Sequence, residues 1–324
     1  MVGQAAEAGL SRYTANIAAY LDHCGSSDRV GRLAASIRFG MDLRRADGLV
    51  AVSHHNFPLN RLGDGSRLLY GGCVDFAEVR RILSREIERH GCALVVGRRP
   101  AESRRPGREA GFLLIDGLDA DRWHVEDRFV EAGGEGTAAP FRDWIRESEL
   151  AELMAVPHRG SEPNRIRTVM AFGYATPVPA GTRYLVVRRR SSAATVEPPD
   201  RWNDDSAAAL DRLGDRISRD PDLLSDPCVL HGCWTAAQHH LFRCRFLGEQ
   251  LRFGTTRVCQ RRVLHAAARR WSRLPYVVRS AAISSREVSR VSAACDALHE
   301  LAEAETEVDS SAAGALTVLR GTGD

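Results

Sequence analysis

Apolar positions recur at helical spacing near the start of the chain. They run from Tyr13 to Cys24, with Ser11 in front as a suitable N-cap and Gly25 behind as a helix end. A second helix is predicted from a cap at Ser27 through Met41. The extended segment 49–53 follows and leads into His54 and His55. The chain therefore begins with two short amphipathic helices and a loop that presents two imidazoles.

The pattern of the middle of the chain predicts strands around one longer helix. The stretch DFAEVRRILSREIERHG has helical period and closes on a glycine, and CALVVG after it is an apolar run of strand length. Residues 111–129, GFLLIDGLDADRWHVEDRF, predict two strands joined by an acidic turn. A helix over 140–154, a strand in TRYLVVRR and a linker in RRRSSAATVEPPD complete this half.

The second half of the chain is predicted to be almost wholly helical. Helical period marks segments near 203–218, 229–250, 256–272 and 284–306. The expected organisation is an α+β domain over 1–195, a helical domain over 196–310 and a poorly ordered tail over 311–324.

Composition excludes several classes of function. All 45 basic residues are arginine, and the net charge of +3 is far from the balance of a nucleic-acid-binding protein. Abundant Ala, Gly and Arg are typical of a GC-rich bacterium such as an actinobacterium. With no basic leader before an apolar core and no apolar run of spanning length, we expect a soluble cytoplasmic protein without a membrane partner. The eight cysteines lack paired CxxC spacing and are expected to be reduced.

The order of the predicted elements matches that of papain-like folds. An early helix, a long middle stretch and a strand pair ending in Asp127 correspond to a nucleophile at a helix N-terminus, a histidine on one strand and an acid on the next. This order has a physical basis, because a helix N-terminus favours an anion and the acid fixes the imidazole tautomer.

Four stretches together resemble the butirosin biosynthesis protein H family. They are RYTANIAAYLDHCG, WHVEDRF, PFRDWIRESELAELM and the helical second half. The resemblance implies a papain-like N-terminal domain with a helical companion, and transfer of an acyl or aminoacyl group from a carrier-protein thioester in secondary-metabolite or antibiotic biosynthesis. The family's cysteine would fall near Ser11 and its histidine at the start of the strand that holds Gly111, so both are substituted. Asp127 is the natural counterpart of the acid.

Candidate catalytic residues follow from this comparison. Ser11 is the candidate nucleophile, His54 or His55 the possible base, and Asp127 the orienting acid. Cys24 is disfavoured as a nucleophile because the C-terminal end of a helix opposes a thiolate. Residues expected to line the cleft and bind a ligand are Tyr13, Asn16, Gly111, Trp123 and His124.

Metal and cofactor sites are not predicted. Cys233, His240 and Cys244 have spacings that would align them on one helix face, but packing in a core explains them better than zinc does. The arginine-rich loop 98–109 could dock an acidic carrier protein or a phosphopantetheine phosphate, or be a solvated connection.

Three functions stay open from the sequence. The first is acyl transfer or release, with a carrier protein or small-molecule acyl thioester as donor and a small-molecule acceptor. The second is a pseudoenzyme whose cleft binds a metabolite or partner, which the two substitutions favour. The third is a non-covalent reaction such as a cyclisation in the remodelled cleft. The helical domain would cover the cleft or form a homodimer face.

Overall fold

The computed structural model describes residues 10–25, 29–42, 52–54, 66–99, 110–129, 131–133, 136–138, 140–155, 181–190, 202–203, 205–250, 257–284 and 287–321. In chain order the helices are α1 (Arg12–His23), α2 (Arg29–Ser36), α3 (Phe76–His90), α4 (Glu147–Met154), α5 (Ser206–Arg219), α6 (Pro227–Gln250), α7 (Arg257–Ile283) and α8 (Val288–Gly321), with a 3₁₀ turn at Pro221–Ser225. The strands are β1 (Gly40–Asp42), β2 (Val52–Ser53), β3 (Arg67–Cys73), β4 (Ala93–Gly97), β5 (Gly111–Asp119), β6 (Arg122–Asp127), β7 (Glu131–Gly133), β8 (Gly136–Ala138), β9 (Phe141–Arg146), β10 (Tyr184–Arg190) and β11 (Trp202–Asn203).

The chain divides into two compact units. Unit 1 comprises Met1–Arg29, Asn60–Ala171 and Ala175–Val196, and unit 2 comprises Val30–Leu59, Phe172–Tyr174 and Glu197–Asp324. The predicted boundary at residue 195 lies beside the last residue of unit 1. Residues 30–59, however, were assigned to the first domain and belong to unit 2, because β1 and β2 pair with each other and β1 also pairs with β11.

Unit 1 is built on a six-stranded antiparallel sheet in the order β3-β10-β4-β5-β6-β9. The helix α3 begins at Asp75, whose side chain accepts a hydrogen bond from Glu78 N, and ends at Gly91 with a φ of 76°. The core of the unit contains buried residues of α3 and the sheet, including Leu83 and Trp123. The sheet and its helices confirm the α+β class of this half.

A bulge interrupts the pairing of β5 with β6. Ile115 pairs with Val125 and Gly117 pairs with His124, so two residues of β5 are set against one of β6. Asp116 is the extra residue. Bulges of this kind re-aim a side chain out of the regular alternation, and the carboxylate of Asp116 is central to one of the clusters described below.

Unit 2 is largely helical, as predicted, and buries a charged network in its core. Glu305 accepts hydrogen bonds from Trp271 Nε1 at 2.8 Å, from His240 Nδ1 at 3.1 Å and from Arg243 at 2.6 Å. Burial acts to raise the pKa of Glu305, but the neighbouring His240 and Arg243 outweigh it and hold the pKa below its ordinary value. A buried carboxylate is thus neutralised by partners on two other helices.

Two local predictions were wrong. The helix predicted from Ser27 through Met41 ends at Ser36, and Met41 lies on strand β1, which pairs with β2 and β11. The segment predicted as one helix over 140–154 begins as strand β9, which pairs along its whole length with β6, and becomes helical only at Glu147. Pairing with an existing strand edge overrides local propensity here. Helix α8 continues to Gly321, into the tail over 311–324 for which poor order was predicted. Among the described helices, none has an apolar stretch long enough to cross a bilayer.

Candidate functional site

The N-terminus of α1 is where the resemblance places a nucleophile. Ser11 is the N-cap of this helix, as predicted, and its Oγ accepts a hydrogen bond from Thr14 N at 3.3 Å. The same oxygen is bonded to Thr14 Oγ1 at 2.8 Å. These contacts satisfy an otherwise orphaned helix N–H. The contacts described for this hydroxyl are therefore those of a helix cap.

The side chain of Arg12 lies against the start of β5, where the resemblance places a histidine. A Cβ added at Gly111 would collide with Arg12 Cδ and would lie 3.0 Å from its Cγ. Glycine at this position makes room for the arginine stem. Arg12 Nε lies 3.0 Å from Asp127 Oδ2, and the arginine side chain is only 10% exposed. An ion pair thus lies where the resemblance would place a cysteine and a histidine.

Asp127 is fully buried at the end of β6 and is held on both carboxylate oxygens. Its Oδ2 also accepts a hydrogen bond from Arg99 Nε at 3.0 Å. Its Oδ1 accepts from Asn16 Nδ2 at 2.8 Å and from Phe129 N at 3.1 Å. Two guanidinium groups compensate one buried carboxylate, which is the condition under which a charge can be buried. The acid orients two arginines.

Asn16 and Tyr13 join α1 to the strand pair. Asn16 Nδ2 donates to Phe112 O at 2.8 Å, and its Oδ1 accepts from Arg128 N at 3.1 Å. The hydroxyl of Tyr13 donates to Ala110 O at 3.2 Å. Both side chains are buried in contacts within unit 1, and their predicted role in binding a ligand stays a prediction. These contacts explain why α1 is fixed over the ends of β5 and β6.

The structure describes one of the two candidate bases, His54. His54 belongs to unit 2, is 1% exposed, and has its ring centroid 3.8 Å from that of His239. Burial lowers the pKa of His239 to about 3, so this partner is neutral. His55 lies outside the described residues.

Trp123 and His124 point to opposite faces of the sheet, as strand alternation predicts. Trp123 is fully buried in the core of unit 1, and its role as a ligand-binding residue stays a prediction. The imidazole of His124 contacts the carboxylate of Asp116, and its ring lies 5.2 Å from that of Trp144. His124 and Glu126 share a face, which was predicted from the same alternation.

A second cluster, which we call the His23 cluster, was missed by the sequence analysis. It comprises His23, Asp116 and Glu126, whose nearest ligand atoms all lie within 4.8 Å of one another. His23 Nε2 is 3.5 Å from Asp116 Oδ2 and 3.7 Å from Glu126 Oε2. The alternation of β6 gave a signal for Glu126, but the bulge that aims Asp116 at the last turn of α1 has none in the sequence.

Cys233 and Cys244 are buried in unit 2. Burial raises the pKa of Cys233 and of Cys244 to about 12, so both thiols are protonated at neutral pH. In unit 1, Arg189 donates to Cys24 Sγ at 3.8 Å. The pKa of Cys92 is raised by a hydrogen bond to Cys24 and by burial.

Of the arginine-rich loop over 98–109, the structure describes residues 98 and 99. Arg99 was predicted to lie in a surface patch for a carrier protein or a phosphate, but it is buried and ion-paired with Asp127. Residues 100–109 lie outside the described residues. Arg99 therefore does not contribute to such a patch.

Comparisons with known proteins leave the chain's family undetermined. No protein-family model matches the sequence, and no curated protein matches it. The properties of the site thus rest on its own residues: a capped helix, a buried acid held by two arginines, and a separate cluster of imidazole and carboxylate groups.

Proposed function

We propose that this chain binds an acyl or aminoacyl thioester, or the metabolite carried by it, without forming a covalent intermediate. In this proposal unit 1 is a papain-like domain related to the butirosin biosynthesis protein H family, acting in bacterial secondary metabolism as a pseudoenzyme. The carrier of the thioester would be an acyl carrier protein or a small pantetheine derivative.

The observation that carries the proposal is the position of Arg12. Its side chain packs against Gly111 and pairs with buried Asp127. In the proposed papain-like arrangement, Arg12 lies where a thiol and an imidazole would have to meet. Nucleophilic catalysis needs a nucleophile within hydrogen-bond reach of a base that a third group orients. Here the orienting acid is engaged by Arg12 and Arg99 instead.

The state of Ser11 supports the same conclusion. A serine hydroxyl is a weak nucleophile at neutral pH unless a base takes its proton. Ser11 Oγ accepts a hydrogen bond from Thr14 N and is hydrogen-bonded to the Thr14 hydroxyl. Serine is also a preferred residue at a helix N-cap, so its presence at this position has a structural reason.

Calorimetric titration of the purified full chain with acyl-pantetheine thioesters tests the proposal. We expect saturable binding with no loss of thioester over the course of the titration, measured by absorbance of released thiol. Ser11→Ala should bind with the same affinity as the wild type. Thioester loss that requires Ser11 would contradict the proposal in favour of acyl transfer, and absence of binding across the panel would refute the ligand class.

A further inference from the structure

The His23 cluster has the composition and spacing of a metal centre. The ligand atoms come from α1 and from the adjacent strands β5 and β6, so His23, which is far from that strand pair in sequence, meets it only in the folded unit. An imidazole nitrogen with carboxylate oxygens is a donor set that zinc accepts. This inference does not depend on the proposed function.

The distances from His23 Nε2 to the two carboxylate oxygens suit a single divalent ion. Zinc bonds to nitrogen and oxygen are about 2.0–2.2 Å, so ligand atoms at the corners of a tetrahedron lie about 3.4 Å apart. His23 Nε2 lies 3.5 Å from Asp116 Oδ2 and 3.7 Å from Glu126 Oε2. Both values are too long for hydrogen bonds and close to the separation that one shared ion requires.

The second observation concerns Glu126 itself. Its side chain is only 9% exposed, and its Oε2 is buried with no hydrogen-bond partner among the described residues. A buried carboxylate oxygen in that state is unfavourable unless a cation or donor meets it. This oxygen is the one that faces His23.

Each of the two carboxylates also contacts a neighbouring side chain through the oxygen that does not face His23, as the carboxylates of metal sites usually do. Glu126 Oε1 accepts a hydrogen bond from Arg128 Nε at 2.5 Å. Asp116 Oδ1 is contacted by Nδ1 of His124. Each carboxylate therefore has one oxygen fixed by a neighbour and the other directed to the cluster, which is the usual outer-shell arrangement of a ligating carboxylate.

The surroundings leave the cluster accessible to an ion. The side chain of His23 is 26% exposed, so the cluster is reached from solvent along the last turn of α1. Arg142 is the neighbouring cation on β9, at 3.9 Å from Asp116 Oδ2, and it is 64% exposed. An exposed arginine beyond hydrogen-bond distance can turn into solvent when an ion binds.

We propose that His23, Asp116 and Glu126 form a site for one zinc-type divalent cation, with Nε2, Oδ2 and Oε2 as the ligand atoms. Three protein ligands leave a coordination position for water or a substrate oxygen, as in zinc sites that are not purely structural. His124 and Arg128 are positioning residues that act through the two carboxylates.

The test measures zinc binding to the full chain after removal of any affinity tag and dialysis against a chelator. Competition with a chromophoric chelator should show one equivalent bound by the wild type. His23→Gln should lower the affinity at least tenfold. The matched control is His299→Gln, which removes an imidazole that pairs with Asp211 at 2.9 Å on the surface of unit 2.

Outcomes that would overturn the site are distinct from a folding defect. His23 is partly exposed, so His23→Gln should melt as the wild type does. Equal zinc affinity in the wild type and His23→Gln, or an equal loss in His299→Gln, would refute the site. The Co²⁺ complex should show no thiolate-to-metal charge-transfer band, and such a band would assign the metal to cysteine instead.

Discussion

Removing the charge of Asp127 should destabilise unit 1 more than any surface substitution of the same type. Asp127→Asn keeps the size and shape of the side chain, so no cavity forms. The amide oxygen can still accept from Asn16 and from Phe129 N, which lie 2.8 and 3.1 Å from Asp127 Oδ1. The amide NH₂ then replaces the oxygen that now faces Arg12 and Arg99, each at 3.0 Å. Donors would face donors at the centre of the cluster.

The expected magnitude follows from burial. Asp127 is fully buried, and the side chains of Arg12 and Arg99 are only 10% and 4% exposed, so water screens the loss poorly. Breaking a buried ion pair by neutralising one partner costs about 3–5 kcal/mol. For a unit of this size that corresponds to a fall of about 6–20 °C in Tm. Thermal unfolding followed by calorimetry or circular dichroism measures it.

The control and the refuting result are both available in the same sheet. Asp143 lies exposed on β9, and Asp143→Asn should change the free energy of unfolding by no more than about 0.5 kcal/mol. Arg12→Met combined with Asp127→Asn should cost less than the sum of the two single changes, because fewer charges are left unpaired. If Asp127→Asn is as mild as Asp143→Asn, the buried ion pair does not hold α1 on the sheet.

Three further predictions concern other parts of the chain. Gly111→Ala should lower the stability of unit 1, since the new Cβ meets the arginine side chain packed there, whereas Gly248→Ala, with open space around it, should be neutral or stabilising by up to about 1 kcal/mol; urea unfolding compares them. Because burial lowers the pKa of His239 to about 3, the unfolded chain binds a proton between about pH 6.5 and 3 that the folded chain does not. The free energy of unfolding should therefore decrease as the pH is lowered through that window, by up to about 1.4 kcal/mol per pH unit. The slope should be smaller in His239→Leu, and an equal slope in wild type and variant would contradict the burial of this imidazole. Iodoacetamide at mildly alkaline pH should modify exposed Cys259 well before Cys233, because burial raises the pKa of Cys233 to about 12. Peptide mass spectrometry measures the two rates, and equal rates would contradict the burial of Cys233.

Helices were the most predictable part of the structure. Ser11 as the cap of α1, the helix ending at Gly91 and the helical second half all follow from periodicity and capping residues near each other in sequence. Strand β9 was missed because only its partner β6, well before it in the chain, makes it a strand. Residues 30–59 were misplaced for a similar reason, since β1 pairs with β11, which lies in the second half of the chain.

The site was predictable in outline and not in detail. Asp127 at the end of β6 and His124 with Glu126 on one face follow from strand alternation. The role of Arg12 does not, because a long side chain can reach many partners and only the folded chain brings Gly111 and Asp127 beside it. The position of Asp116 depends on the bulge in β5. The burial of Trp123 depends on which face of the sheet is covered by the core of unit 1.

The most direct test of the central claim, that the helix–strand site does no covalent chemistry, is the intact mass of the protein after incubation with acyl-pantetheine thioesters. Wild type, Ser11→Ala and Cys24→Ala are compared under the same conditions. We predict an unchanged mass for all three, with the thioester intact. An acyl adduct on the wild type that disappears in either variant would contradict the claim and identify the nucleophile.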